Sequence, residues 1–362
     1  MAIYEQKNAR PAPSNTKGIL NWIFRNLLST PLDVAMTFTV LAFLFWVIPP
    51  FINWSIIEAN FVGTSRTDCT GDGACWVFIS QKINMFIYGF YPEEEIYRVN
   101  IVFALFFVFI VLFKYFGNSF ITKILIFSAY PVIAFMLISG GSFGLPIIDT
   151  NDWGGLMLTL VVAATGIIVA FPIGIVLAFG RQSKLPVIRN ASIVYIEFIR
   201  GVPLITLLFM GSVILPLFFK EGIDFDKLLR ALIVITLFQA AYIAEVIRGG
   251  LQAIPKGQYE AADSLGLSYW QKMILVILPQ ALKVSIPNLV GASIALFKDT
   301  TLVLIIGLFD LLAMVHLTGS DSNWLGYDTE GYVFITFIYW FFCFSLSKYS
   351  KVIEAKYNTD HR

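Results

Sequence analysis

The chain has 362 residues, of which 57% are hydrophobic and only 14% charged, with a mean hydropathy of +0.76. That balance excludes an ordinary soluble domain and indicates a protein threaded repeatedly through a membrane. A net charge of +1 gives no bulk nucleic-acid footprint, and three cysteines with two histidines (His316 and His361) form no zinc-ligand spacing.

Residues 1–31 are polar and basic, with Lys7, Arg10, Lys17 and Arg25. No secretory signal is expected, because the first apolar segment starts far from the beginning and no small-residue cleavage site follows it. A single span needs about 20 mostly apolar residues. Val34 to Phe51 is predicted as the first, ended by Pro49 and Pro50. Residues 52–98 read as a polar-aromatic loop holding Cys69, Cys75 and the acidic run Glu93 to Glu95. Asn100 to Phe116 and Ile124 to Gly140 are the second and third spans. The Gly-rich turn after them sets a domain boundary, with an extension over 1–150 and a second domain over 151–362.

Beyond that turn, Leu156 to Phe179 is the fourth span, where Gly166, Pro172 and Gly174 suit close helix packing. A basic loop with Arg181, Lys184 and Arg189 follows. Val194 to Phe219 is the fifth span and Leu228 to Ile247 the sixth. A polar block occupies 256–279. Val284 to Leu317 is apolar but too long for one straight span, and its middle holds Lys298 and Asp299. Tyr332 to Leu346 is the last span. The expectation is an all-α polytopic membrane protein with about eight transmembrane helices.

With eight spans and both termini inside, sixteen Lys and Arg fall on the inner side and six on the outer side. This is the bias of the positive-inside rule, and it puts the 256–279 block in the cytoplasm. The Cys69–Cys75 loop then faces an oxidising side, where a disulfide is permitted. Two free thiols are the alternative.

The polar block reads as helix, sharp turn, helix. Gln258 to Leu265 carries good helix formers and stops at Gly266, a residue suited to a helix C-terminus. Ser268 and Gln271 have capping-box spacing for a second helix. Pro279 falls inside that helix and is expected to bend it. Ala261 and Ala262 allow close approach of a partner surface, and Glu260 reaches out to a cation on it. An ordinary amphipathic loop is the plainer reading. The pattern Glu260-Ala261-Ala262, three residues, Gly266, nine residues, then Val276-x-Leu278-Pro279 resembles the EAA loop of ABC importer permeases, with Val276 where Ile is usual.

Three further stretches resemble the polar amino acid branch of those importers. They are Tyr195-Ile-Glu197-Phe-Ile-Arg200-Gly201-Val-Pro203-Leu204, Tyr242-x-x-Glu245-x-x-Arg248-Gly249-Gly250, and Phe297-Lys298-Asp299-Thr300-Thr301-Leu302. The region from about Gly155 to Lys348 looks like the five-helix, type I permease module. Ala74-Cys75-Trp76 and Tyr91-Pro92 in the extension are similar to the longer general L-amino-acid permeases of Gram-negative bacteria. The resemblance implies an inner-membrane permease of polar or general L-amino acids with both termini cytoplasmic. It also implies a second permease chain in a homo- or heterodimer, ATPase subunits docked at Glu260, Ala261, Ala262, Gly266 and Pro279, and a periplasmic amino-acid-binding protein. ATP is then used by the partner ATPase. This chain has no phosphate-cradling G-x-x-x-x-G-K-[ST], binds no cofactor or metal of its own, and is no enzyme. The alternative is an amino-acid transporter driven by an ion gradient, for which an internal repeat is the expected sign and none is evident.

Several polar residues lie inside predicted spans. Glu197 and Arg200 are expected to form a structural ion pair at i, i+3 near the inner surface, with a direct transport role as the alternative. Gln239, Tyr242 and Glu245 share one helix face, as a packing seam or a lining of the pathway. Lys298, Asp299 and Thr300 cannot share one face, so a helix break is expected there. Such breaks at membrane depth are tolerated where they line a cavity. An interfacial helix end with Asp299 as an N-cap is the alternative.

Overall fold

The computed structural model describes residues 18–116, 120–142, 144–218 and 225–357. Lys7, Arg10, Lys17, Phe219, Lys220 and His361 lie outside the described residues. Apart from isolated bridges, all regular structure among the described residues is helical. The chain divides into two compact units, 1–77 and 78–362.

The first unit opens with a short helix, α1 (Ile19–Leu27), and the long α2 (Pro31–Ile52). The expected stop at Pro49 and Pro50 does not occur. The Asn53 amide reaches the carbonyls of both prolines, and a π-helical turn, Asn53–Ile57, carries the run onward. A proline removes one donor, and the wider turn lets the next amides find carbonyls. The loop beyond is tightly built. Asn60 and Cys75 form a bridge, the Trp76 indole donates to the Ser55 carbonyl (2.7 Å), and Cys69 is joined to Cys75 in a disulfide. Gly73 is required there, since a Cβ would lie 2.1 Å from the Glu58 carbonyl oxygen.

The second unit contains most of α3 (Trp76–Tyr88), a helix inside the stretch expected to be loop. Phe78 packs on Trp324 (5.6 Å between centroids), Phe86 packs on Phe334, and Lys82 pairs with Asp321 (2.8 Å). Next come α4 (Ile96–Phe116) and α5 (Phe120–Ser139). Arg98 at the start of α4 is fully buried. It donates to Glu95 (2.7 Å) and to the Pro146 carbonyl (3.0 Å), clamping the Gly-rich turn.

The remaining helices are α6 (Gly155–Arg181), α7 (Pro186–Gly201), α8 (Leu204–Phe209), α9 (Lys227–Ala253), α10 (Lys256–Ser264), α11 (Tyr269–Gln271), α12 (Leu278–Asp299), α13 (Leu311–Gly319) and α14 (Asp328–Tyr357). Among the described residues, six helical runs are long and apolar enough to cross a membrane. A seventh is possible only as a bent pair, Pro186–Gly201 with Leu204–Phe218, angled by 104°. The single fifth span expected over Val194 to Phe219 is therefore corrected. Val202 precedes Pro203 and is extended, which breaks the helix.

Two apolar cores hold the second unit together. One joins Tyr91, Val99 and Ile138 of the region before residue 150 to Leu158 and Val162 of α6 and Ile235 of α9. The other joins Ala170 and Ala178 of α6, Ile243 and Ile247 of α9, and Met273, Ile277 and Ala281 of the run into α12. Small residues set the α6–α9 approach: a Cβ on Gly174 would lie 2.5 Å from Ile243.

Candidate functional site

The second core ends at the 256–279 block, which folds as helix, sharp turn, helix. Ile254 is extended before Pro255, so α9 stops and α10 starts afresh. The C-terminus of α10 is a Schellman motif. Gly266 is left-handed (φ +72°), its amide bonds the Asp263 carbonyl (2.9 Å), and the Leu267 amide bonds that of Ala262 (3.3 Å). Ser268 and Gln271 form the capping box. Lys272 pairs with Asp263, and Gln280 donates to Gln258 (3.0 Å), bracing the turn from both sides.

One expectation for this block changes. Ala262 is buried (2% exposed), together with half-buried Tyr259 at i−3, whose hydroxyl donates to the Leu251 carbonyl (3.1 Å). Only Ala261 of the alanine pair faces out, beside exposed Glu260. Pro279 stands ten residues into the helical run that opens at Tyr269. It falls in the first turn of α12, after a π-helical stretch, Lys272–Ile277, that absorbs its missing donor. The outward surface is thus Gln258, Glu260, Ala261 and Leu265, followed by Tyr269 and Trp270.

About three helical turns before α10, the charged residues converge on Glu245. Arg248 forks onto its carboxylate (Nη2 at 2.6 Å, Nε at 2.9 Å), Arg181 of α6 lies at 3.3 Å and Arg200 of α7 at 3.9 Å. The expected Glu197–Arg200 pair is replaced. Glu197 bonds Arg181 (2.8 Å), because the end of α6 delivers a guanidinium between α7 and α9. Arg200 instead stacks over the Tyr242 ring at 5.5 Å. The Gln239, Tyr242, Glu245 stripe divides between two jobs. Gln239 is buried and donates to the Ala292 carbonyl of α12 (3.2 Å), while Tyr242 and Glu245 belong to the charged cluster.

At the far end of α12 no sharp break occurs. The helix tightens into a 3-10 stretch, Thr300–Ile306, closed by left-handed Gly307, and Asp299 makes no side-chain cap. Thr300 is buried and bonds back to the Phe297 carbonyl (2.9 Å). Lys298 is exposed and borders a cavity of about 380 Å³ with Tyr332, Thr336, Tyr339, Trp340 and Cys343. Tyr339 donates to Asp310 (3.2 Å). Asp310 is fully buried, caps α13 through the Ala313 amide (3.0 Å), and has its carboxyl pushed up to about 6 by burial. Neither Asp310 nor the bridging role of Arg181 was expected. The sequence signal for Asp310 is an acidic residue directly before the apolar run of α13.

Residues 170–359 match the family of binding-protein-dependent transport system inner membrane components. The chain is 50% identical to the inner membrane amino-acid ABC transporter permease protein YhdY of Escherichia coli (strain K12), across 97% of this chain and 96% of that protein. It is 38% identical to the glutamate/glutamine/aspartate/asparagine transport system permease protein BztC of Rhodobacter capsulatus, across 98% and 97%. A crystal structure of an amino acid ABC transporter with histidines superposes with a TM-score of 0.50 at 30% identity, covering 56% of this chain and 92% of its own. The family match over half the chain and the full-length likeness agree: this chain is a multi-pass membrane protein belonging to the inner membrane components of binding-protein-dependent transport systems.

Proposed function

We propose that the chain is the permease subunit of an ATP-binding-cassette importer for polar or general L-amino acids, with α10 as the element that docks on separate ATPase subunits. The observation that carries this reading is the exposed outward surface of α10, ending in a braced turn, in a chain otherwise dominated by apolar helices. The family and the full-length relatives favour it over a transporter driven by an ion gradient. ATP is bound and hydrolysed by the partner, so this chain is a transport subunit and not an enzyme. A second permease chain completes the pathway, and a periplasmic binding protein delivers the amino acid. The chain lies in the inner membrane with both termini cytoplasmic, an orientation supported by its basic residues.

Residues 151–362 form the transporting module in this reading, and 1–150 extend it. Support comes from the solved transporter, which matches little more than half of this chain yet nearly all of its own. Lys298, beside the cavity, and Asp299, next to it in the chain, are charges suited to a zwitterionic amino acid, and Thr300 bonds back to the Phe297 carbonyl there. Reconstitution with candidate ATPase and binding-protein subunits tests the whole assignment. Uptake of labelled glutamate, glutamine or a mixed amino-acid pool should need ATP and the binding protein. Uptake that follows an ion gradient without ATP contradicts it.

A further inference from the structure

The N-terminal helix α1 has no buried residue, although Ile19, Leu20 and Phe24 are 80%, 73% and 62% exposed. At 100° per residue, Ile19, Leu20, Ile23, Phe24 and Leu27 fall within an arc of about 140°. Asn21 and Arg25 occupy the opposite side, and Trp22 lies outside the apolar arc, next to Arg25. Such a face has to be covered.

The chain itself identifies the cover. Three residues separate α1 from α2, which is apolar all round and also has no buried residue, as a lipid-facing span does. The corner between them is fixed. Thr30 and Asp33 form a capping box, Ser29 donates to Asp33, and the Thr37 hydroxyl bonds the Leu27 carbonyl at the end of α1 (2.7 Å). The start of a span lies at the bilayer surface, so a helix pinned to that start lies there too. Tryptophan favours that depth, and Arg25 follows a stretch carrying Lys7, Arg10 and Lys17 in sequence.

We propose that α1 is an in-plane membrane anchor that buries Ile19, Leu20, Ile23, Phe24 and Leu27 among acyl chains and sets Arg25 against anionic headgroup phosphates. It fixes the depth at which α2 enters the bilayer. This inference is independent of what the protein transports.

The test uses the full chain in proteoliposomes, in a Cys343→Ser background that keeps the Cys69–Cys75 disulfide. Ile23→Cys and Asn21→Cys are labelled separately with an environment-sensitive fluorophore. In vesicles containing phosphatidylglycerol, the probe at 23 should emit blue-shifted light and be quenched by lipid spin-labelled near the headgroup. The probe at 21 should stay at its aqueous wavelength and be quenched by iodide. In phosphatidylcholine alone, or with Arg25→Glu, the blue shift at 23 should shrink. Equal water exposure of both probes in every vesicle overturns the anchor. The same shift in both lipids, unaffected by Arg25→Glu, overturns the headgroup contact. Protection at 23 that appears only when a protein partner is added, in detergent as well as in vesicles, assigns the face to that protein instead.

Discussion

The docking turn and the Lys298–Thr300 stretch stand at the two ends of one helical run, Tyr269–Ile306, and are held in opposite ways. At the first end, polar groups find partners close by: the Schellman bonds at Gly266, the Ser268–Gln271 box, and the Lys272–Asp263 pair. Satisfied internally, that end is rigid and presents a fixed face outward. At the second end, neither Lys298 nor Asp299 forms an ion pair among the described residues, and Lys298 borders a cavity. A charge without a partner at membrane depth is costly, which is why the proposed function gives this end the incoming amino acid. In the proposed function, the first end is gripped by the ATPase and the second receives the amino acid.

The largest expected effect on transport separates the two ends by function. Asp299→Asn and Lys298→Met should each cut amino-acid uptake by about tenfold or more, a change of about 1.4 kcal/mol or greater. The co-purifying ATPase should be unchanged. Normal uptake by both variants removes that stretch from the pathway.

Next comes Glu245→Gln, which takes from Arg181, Arg200 and Arg248 the carboxylate they share and leaves Arg181 with Glu197. Removing one partner of a buried ion pair costs about 3–5 kcal/mol, and Glu245 keeps 20% of its side chain exposed, so the lower figure applies. Thermal unfolding in detergent reads this loss. Glu197→Gln is the contrast: its side chain is 56% exposed, and the cost should be below about 1 kcal/mol.

A titration should separate Asp310 from these ion pairs. Its folded pKa of about 6 lies above the usual 3.8, so the folded chain holds a proton that the unfolded chain has released between those values. Stability therefore falls as pH rises from about 4 to about 6, by up to about 1.4 kcal/mol per unit, and levels off above. Asp310→Asn should flatten its share of that slope in melting curves.

Gly266→Ala is the most local change. A left-handed residue with a side chain costs about 1–2 kcal/mol, and a Cβ there meets no atom within 4 Å. ATPase capture should weaken without being lost. A wild-type melting curve for this variant means that the turn readjusts freely.

The difference between the ends also explains what could be read in advance. Gly266, Ser268 and Gln271 act within a few residues of each other, and their spacing alone foretold the turn. The Glu245–Arg248 contact is one helical turn long and was equally legible. Glu197 was assigned the wrong partner because Arg181 reaches it only when α6, α7 and α9 meet. Ala262 turned inward for the same reason: a small residue fits either a partner or its own core, and the spacing does not choose. The fifth span failed where Gly201-Val202-Pro203 breaks the chain, a signal that hydropathy averaged away. Prolines 49 and 50 misled in the other direction, since a π-turn restored the bonds that they remove. Asp310 and Tyr339, 29 residues apart, needed the fold to be seen together.

The account stands or falls on whether α10 grips an ATPase. Wild type and Glu260→Arg are purified in mild detergent and probed for a co-purifying ATPase. The prediction is that wild type brings one down and the variant, equally stable to heat, does not. Wild type purifying alone, or the variant retaining its ATPase in full, contradicts it.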